Sequence, residues 1–288
     1  MIMMRDPVLR RQMEQHIIAT LREDMPFGDL STAAVMPEFR HGEVQLICKQ
    51  DGVIAGLEVF ERTFKVLEPH ETSVEGFVQD GDEVEKGQLL AIVHSDVRVL
   101  LSGERTALNY LQRMSGIATY TRKFVKQLEG TNTHIVCTRK TTPGMRLFER
   151  EAVRIGGGGL HRAGLSDAVM LKDNHIDAAG SIAAAVAAAK VSAPFTAKIE
   201  VECETLDMVQ QALDAGADII MLDNMNNEQR AAAVKLIDRR AMTEVSGNIT
   251  LENVAEVAGL GVDIVSSGAL THSAGILDLS LKHLRVLD

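Results

Sequence analysis

The chain has no tryptophan, two tyrosines and eight phenylalanines, so aromatic side chains make up 3% of its 288 residues. Stacking platforms for single-stranded nucleic acid are built from such rings, and their scarcity argues against that class of function. Cysteine is also sparse. Cys48, Cys137 and Cys203 lie far apart and form no C-x-x-C pair, so neither a disulfide framework nor a zinc site is expected, and the reducing cytoplasm fits best. No uncharged run reaches the roughly 18 residues that span a bilayer. The alanine-rich run from Ile182 to Ala189 reads only as a strong helix former. Arg5, Asp6, Arg10 and Arg11 precede any long apolar run, unlike a secretory signal. Positive charge is in deficit: 30 Lys and Arg against 40 Asp and Glu leave a net charge of -10, the wrong sign for a duplex nucleic acid partner. Hydrophobic residues, at 45%, suffice for a sizeable core in one large domain or two modest ones.

The first segment, residues 7–23, shows a helical stripe of Leu9, Met13, His16, Ile17 and Leu21. From Gly42 to about Leu100 the pattern becomes short strands at Val44–Cys48, Val53–Ala55, Thr72–Phe77 and Leu89–His94. Turn chemistry such as Gln79-Asp80-Gly81-Asp82 separates them. Ser102 is expected to open a helix that runs to about Ser115, and a second follows through Leu128. Thereafter apolar strands are expected at His134–Cys137, Ala168–Leu171, Ala197–Cys203, Asp218–Leu222, Thr243–Ser246 and Val262–Ser266. Helices are expected between them near 145–154, 180–191, 205–215, 226–240 and 250–259. Strands alternating with helices imply βαβ units and a parallel sheet, open or closed into a barrel.

In such folds ligands sit at the carboxyl ends of the strands. Those positions here are polar or glycine in all six cases. Thr138, Arg139 and Lys140 follow the first strand, and Lys172, Asp173, Asn174 and His175 the second. Glu200, Glu202 and Glu204 share one face of the third; Asp223-Asn224 ends the fourth, Ser246-Gly247-Asn248 the fifth, and Ser267-Gly268-Ala269 follows the sixth. Although the chain is acidic overall, Arg139, Lys140, Arg162 and Lys172 gather around the glycine run Gly156–Gly159 together with His161 and His175. That concentration suggests a pocket for something small and strongly anionic, since arginine pairs bidentately with carboxylate or phosphate and lysine offers a point charge. His161 and His175 are expected to donate hydrogen bonds to the anion rather than to act as acid or base. Glu202 and Asp223 are hard oxygen ligands suited to Mg2+ bound together with substrate phosphates. The two glycine turns at 246–248 and 267–269 could offer backbone N–H groups to a phosphate. No Ser/His/Asp or Cys/His arrangement suggests a covalent nucleophile.

Several long motifs in order make the pattern specific: EDMPFGDLST from Glu23, QDGVIAGL from Gln50, ERTALNYLQRMSGIAT from Glu104, TRKTTPGMR from Thr138, GGGGLHRAGL from Gly156, LKDNHI from Leu171, IEVECE from Ile199, IMLDN from Ile220 and SGALTHS from Ser267. The chain closely resembles the quinolinate phosphoribosyltransferase family. The resemblance implies an N-terminal α/β sandwich with a linker helix over 1–115 and an incomplete α/β barrel of parallel strands over 116–272. A C-terminal helix over 273–288 would return to the first domain. It implies transfer of phosphoribosyl from phosphoribosyl pyrophosphate to quinolinate, with loss of carbon dioxide and pyrophosphate. By the same resemblance Arg139, His161 and Arg162 match residues that hold the quinolinate carboxylates. Lys140, Lys172, Glu202 and Asp223 match those serving phosphoribosyl pyrophosphate and Mg2+, and the two glycine turns those that take the 5′-phosphate. Arg105 matches an arginine reaching into a neighbouring subunit's site, which implies a homodimer or larger assembly. Leu160 stands where the family usually has asparagine. That departure keeps open a relative on the same scaffold acting on another base, such as the one encoded with molybdate transport genes. A sugar-phosphate sensor would need the glycine turns but not the paired acidic residues.

Overall fold

The computed structural model describes residues 6–287, and the chain divides into two compact units. The first comprises Met1–Tyr120, Gly144–Gly156 and Ala274–Asp288; the second comprises Thr121–Pro143 and Gly157–Ser273.

The first unit opens with α1 (Pro7–Asp24), started by Asp6, whose Oδ1 accepts the Val8 and Leu9 N–H groups. Then come α2 (Leu30–Val35), β1 (His41–Cys48), β2 (Gly52–Val53), α3 (Leu57–Leu67), β3 (Ser73–Gly76), β4 (Glu83–Val84), β5 (Leu89–Asp96) and α4 (Val97–Gln127). In the second unit lies β6 (His134–Val136), after which α5 (Arg146–Ile155) rejoins the first. An antiparallel sheet in the order β12-β1-β5-β3 includes the C-terminal strand β12 (Leu279–Val286). Val44, Leu46, Leu90 and Val93 from the sheet, Phe60 and Phe64 from α3, and Leu100, Leu108 and Leu111 from α4 are buried together in one core. Phe60 and Phe64, one helical turn apart, meet edge to face at 5.2 Å.

Three expectations are corrected in this unit. The helix expected to start at Ser102 begins at Val97. Asp96 Oδ1 accepts the Arg98 N–H (3.0 Å), so β5 passes into α4 without a loop, and the Ser102 hydroxyl donates instead to Asp29 Oδ2 (3.0 Å). Nor does the helix stop at Ser115. Gly116 sits inside it because a Cβ there would lie 2.0 Å from the Gly275 carbonyl oxygen, an approach only glycine permits. The C-terminal segment is a strand rather than a helix: its Leu279 and Leu281 point inward in alternation, and it pairs antiparallel with β1 from Cys48↔Leu279 to Gly42↔Val286. Helix α3, absent from the sequence reading, is capped from a distance by Asp80, whose Oδ1 accepts the Gly56 and Leu57 N–H groups (2.7 and 3.1 Å).

The second unit continues with β7 (Val169–Leu171), α6 (Asp173–Ala179), α7 (Ile182–Ser192), β8 (Ile199–Cys203), α8 (Leu206–Ala215), β9 (Ile219–Asp223), α9 (Asn227–Ile237), β10 (Met242–Ser246), α10 (Val254–Ala258), β11 (Ile264–Ser266) and α11 (Ala269–His272). All six strands are parallel, in the order β6-β11-β10-β9-β8-β7, and five of them follow chain order across the sheet. This is the parallel α/β architecture anticipated from strand–helix alternation. The glycine run serves the backbone here. Gly159 bridges Val136 on the free side of β6, donating to the Ile135 carbonyl (2.8 Å), and a Cβ there would lie 2.9 Å from Val136 Cγ1. Among the described residues no helix is long and apolar enough to cross a membrane.

Candidate active site

Parallel register sets the site. Glu202, Met221 and Glu244 stand side by side on β8, β9 and β10, and Asp223 stands beside Ser246 one inward position further along. Side chains two apart along a strand share a face, so these residues, with Glu200 beneath Glu202, present one acidic wall. Charged residues at the ends of β6 and β7 and after the glycine run supply the opposite sign. The result is a cavity of about 250 Å³ lined by Thr138, Arg139, Lys140, His161, Arg162, Met170, Lys172, Glu202, Met221, Asp223, Glu244, Ser246 and Ser266.

Of the residues singled out from sequence, the structure thus brings together Thr138, Arg139, Lys140, His161, Arg162, Lys172, Glu202, Asp223 and Ser246. Gly247 borders them: it has φ +87°, and a Cβ on it would lie 3.0 Å from Asp223 Oδ1. Asn224, itself left-handed at φ 53°, donates from Nδ2 to Asp223 Oδ2 (2.9 Å) and fixes that carboxylate. Gly268 lies against Lys140, since a Cβ there would meet Lys140 Cδ at 2.8 Å and His272 Nε2 at 2.9 Å. The Lys140 backbone is pinned from both sides: its N–H donates to Thr138 Oγ1 and its carbonyl accepts from Thr271 Oγ1 (3.1 and 2.7 Å). Ser267 is buried, with its hydroxyl on the Ile249 carbonyl, and receives the Ala269 N–H. Asn248, exposed at φ 54°, lies outside the cavity lining.

Asp173 and His175 are not among the lining residues. Asp173 begins α6, and His175 Nδ1 accepts the Lys172 N–H (3.1 Å), closing a cap on that helix. His175 Nδ1 thus serves a local cap at the third helical position, a use that charge patterning alone does not reveal. Arg105 is exposed on α4 in the first unit.

The electrostatics are those of a cationic receptor on an acidic base. Burial lowers the proton affinity of Arg162, and the neighbouring Arg139 charge lowers it further; two guanidiniums held together in this way favour an anion between them. Arg162 is aimed by bonds from Nη1 to the Ala168 carbonyl (3.3 Å) and from Nη2 to Met170 Sδ (3.4 Å). Lys172 is paired with Glu202. His161 Nε2 lies 3.4 Å from Glu200 Oε2 and 3.3 Å from Glu244 Oε2. Burial alone would depress this imidazole, but the two carboxylates more than offset it and push it up to about 10. The Arg162 N–H at His161 Nδ1 (2.7 Å) pulls the other way, because an imidazolium has no lone pair there. Two buried carboxylates outweigh one amide dipole, so the cation prevails. Burial pushes the Glu200 carboxyl up, the bond to His161 pulls it back, and the Glu244 charge adds to the rise.

Sequence reasoning missed Glu244, the most consequential of the lining residues it did not name. The available signal was a glutamate inside the apolar strand pattern of β10, where a charge is costly unless paired. It also left Glu200 without a role and passed over His272 inside the SGALTHS motif. Cys137 and Cys203 are buried, and burial pushes the Cys203 thiol up to about 12, so neither offers a ready nucleophile.

Residues 29–115 match the family model described as quinolinate phosphoribosyl transferase, N-terminal domain, and residues 117–282 match the corresponding C-terminal domain. The chain is 43% identical over 259 residues to a probable nicotinate-nucleotide pyrophosphorylase (carboxylating) of Bacillus subtilis, covering 90% of this chain and 89% of that protein. It is 43% identical over 268 residues to the protein of the same description from Archaeoglobus fulgidus, covering 91% and 100%. The crystal structure of NadC from Streptococcus pyogenes superposes with a TM-score of 0.92 at 46% identity, covering 96% of this chain and 98% of that one.

Proposed function

Because the chain belongs to the quinolinate phosphoribosyltransferase family, we propose that it transfers phosphoribosyl from phosphoribosyl pyrophosphate to quinolinate. The products are nicotinate mononucleotide, carbon dioxide and pyrophosphate, the step by which a pyridine dicarboxylate enters NAD synthesis. The observation that carries this reading is the pair of Arg139, just past β6, and Arg162, in the loop after the glycine run, two guanidiniums sharing one cavity with Lys140 and Lys172.

Quinolinate is a dianion whose carboxylates occupy adjacent ring positions, and Arg139 with Arg162 can each take one in a bidentate pair. Lys140 and Lys172 face the diphosphate, and the turns at Gly247 and Gly268 serve the 5′-phosphate. As pyrophosphate leaves, positive charge develops on the ribose carbon and negative charge on the departing oxygens, and the lysines stabilise the latter. The ring nitrogen bonds to that carbon and becomes a pyridinium. The adjacent C2–carboxylate bond then breaks, its electron pair stays on C2 beside the cationic nitrogen, and C2 takes a proton as carbon dioxide departs. Positioning and electrostatics suffice, with no strong base required.

Glu202 and Asp223 suit Mg2+: both are hard oxygen donors on neighbouring strands of this cavity, and Mg2+ commonly uses one or two carboxylates with substrate phosphates and water. Bound there with the diphosphate, the ion would neutralise the leaving group's charge. Before it arrives, Lys172 holds Glu202. We place the enzyme in the cytoplasm, a reading supported by three buried cysteines that form no disulfide among the described residues.

Incubation with quinolinate, phosphoribosyl pyrophosphate and Mg2+ should release pyrophosphate and form nicotinate mononucleotide. Absence of both, with active-site folding intact, overturns the reading. The assembly is read as a homodimer or larger, with Arg105 of one subunit completing the site of a neighbour. Arg105 is exposed on a helix otherwise buried through Leu108, Leu111 and Met114. Mixing an inactive Arg105→Ala chain with an inactive Lys172→Ala chain should restore partial activity, since a mixed dimer holds one site with both residues intact. Confirmed chain exchange without activity contradicts the shared site.

A further inference from the structure

Glu200 and Glu244 are the most deeply buried carboxylates of the acidic wall, 2% and 3% exposed. They sit on β8 and β10, with β9 between them, yet both converge on one atom, His161 Nε2, at 3.4 and 3.3 Å. The second oxygen of each, Glu200 Oε1 and Glu244 Oε1, is buried with no hydrogen-bond partner among the described residues. Burying two carboxylates so close together is costly unless a cation is held against them. That cation is the His161 ring, and it does not stand alone: Arg162 follows it directly in the chain, and the Glu200 charge also acts on the Arg162 guanidinium.

Resting on the reading of the cavity as a quinolinate site, we propose that Glu200 and Glu244 are positioning residues: their carboxylates clamp the His161 ring from opposite strands and so fix the Arg162 guanidinium that receives a substrate carboxylate. The arrangement works as a stack of alternating charge. Carboxylates on rigid strands hold the imidazolium, Arg162 follows it directly in the chain, and Arg162 stands beside Arg139 at the cavity. Such a stack explains why an anion-binding pocket in this chain is built over two buried acids. Without them the loop that follows the glycine run would carry two adjacent cations, His161 and Arg162, with nothing beneath to set their direction. The donor atoms of His161, Glu200 and Glu244 all lie within 4.8 Å of one another, a spacing that could also hold a divalent cation. The nearby Arg162 charge already contributes to neutralising Glu200, which favours the clamp over a metal.

The test uses Glu200→Gln and Glu244→Gln, which keep the shape of each side chain and remove its charge. Each should raise the KM for quinolinate by roughly ten-fold or more, as expected when a binding group loses its support, while the KM for phosphoribosyl pyrophosphate stays within about two-fold. In protein carrying 15N-labelled histidine, the His161 ring signals, assigned by their loss in His161→Asn, should shift in both variants without any substrate present. Unshifted ring signals overturn the clamp, as do KM values that rise together for both substrates with a fall in Tm. A stoichiometric metal retained by the wild type after chelation and lost from both variants also overturns it, by assigning the cluster to a cation. The ring signals need no turnover, so a wild-type protein that ignores quinolinate yet shows shifted signals in both variants supports the clamp and overturns only the assigned reaction.

Discussion

Arg162→Ala should weaken quinolinate binding by about 2–5 kcal/mol, the usual cost of truncating one partner of a partly buried charge pair. Arg162 is half-buried, with its guanidinium directed by the Ala168 carbonyl and Met170 Sδ and facing Arg139. Removing it relieves the Arg139 repulsion but leaves one substrate carboxylate without its bidentate partner and the acidic wall with one cation fewer. The affinity for phosphoribosyl pyrophosphate should change little, because Lys140 and Lys172 remain. Titration calorimetry with quinolinate checks the outcome, and an affinity equal to wild type contradicts the carboxylate role.

The second large effect concerns Glu202 and Asp223. The double variant Glu202→Gln, Asp223→Asn should lower Mg2+-dependent turnover by roughly 10³-fold or more, since a metal supplies several kcal/mol of charge stabilisation and each 1.4 kcal/mol is a factor of ten. Quinolinate binding should remain measurable, because both substituted residues lie on β8 and β9, away from Arg139 and Arg162 in sequence and strand. Lys172 loses its partner Glu202 in this variant, so a rise in phosphoribosyl pyrophosphate affinity without turnover would still fit. Wild-type turnover in Mg2+ would remove both carboxylates from metal binding.

The parallel sheet was legible because each barrel strand is a short apolar run with a polar terminus, and the strand-end rule then names positions. That logic found the Arg139, Lys140, Lys172, Glu202 and Asp223 cluster, all of which line one cavity. It failed where the deciding partner is remote. β12 pairs with β1, more than 200 residues earlier, and the Leu-x-Leu alternation that announces a strand is too short to exclude a helix. The start of α4 was misplaced because the expected strand stopped at His94, whereas β5 runs on to Asp96, which also caps the helix. Glu200 and Glu244 were under-read for a related reason. They belong to different strands, and only the register of the sheet brings them to His161. His175 was read as a donor to an anion, and its part in closing a local turn went unseen.

Quinolinate labelled with 13C in the carboxylate at C2, the one beside the ring nitrogen, tests the central claim most directly. With phosphoribosyl pyrophosphate and Mg2+ the label should leave as carbon dioxide, one for each nicotinate mononucleotide formed, and none should remain in the nucleotide. Label retained in the nucleotide, or consumption of nicotinate while quinolinate is untouched, would contradict the account.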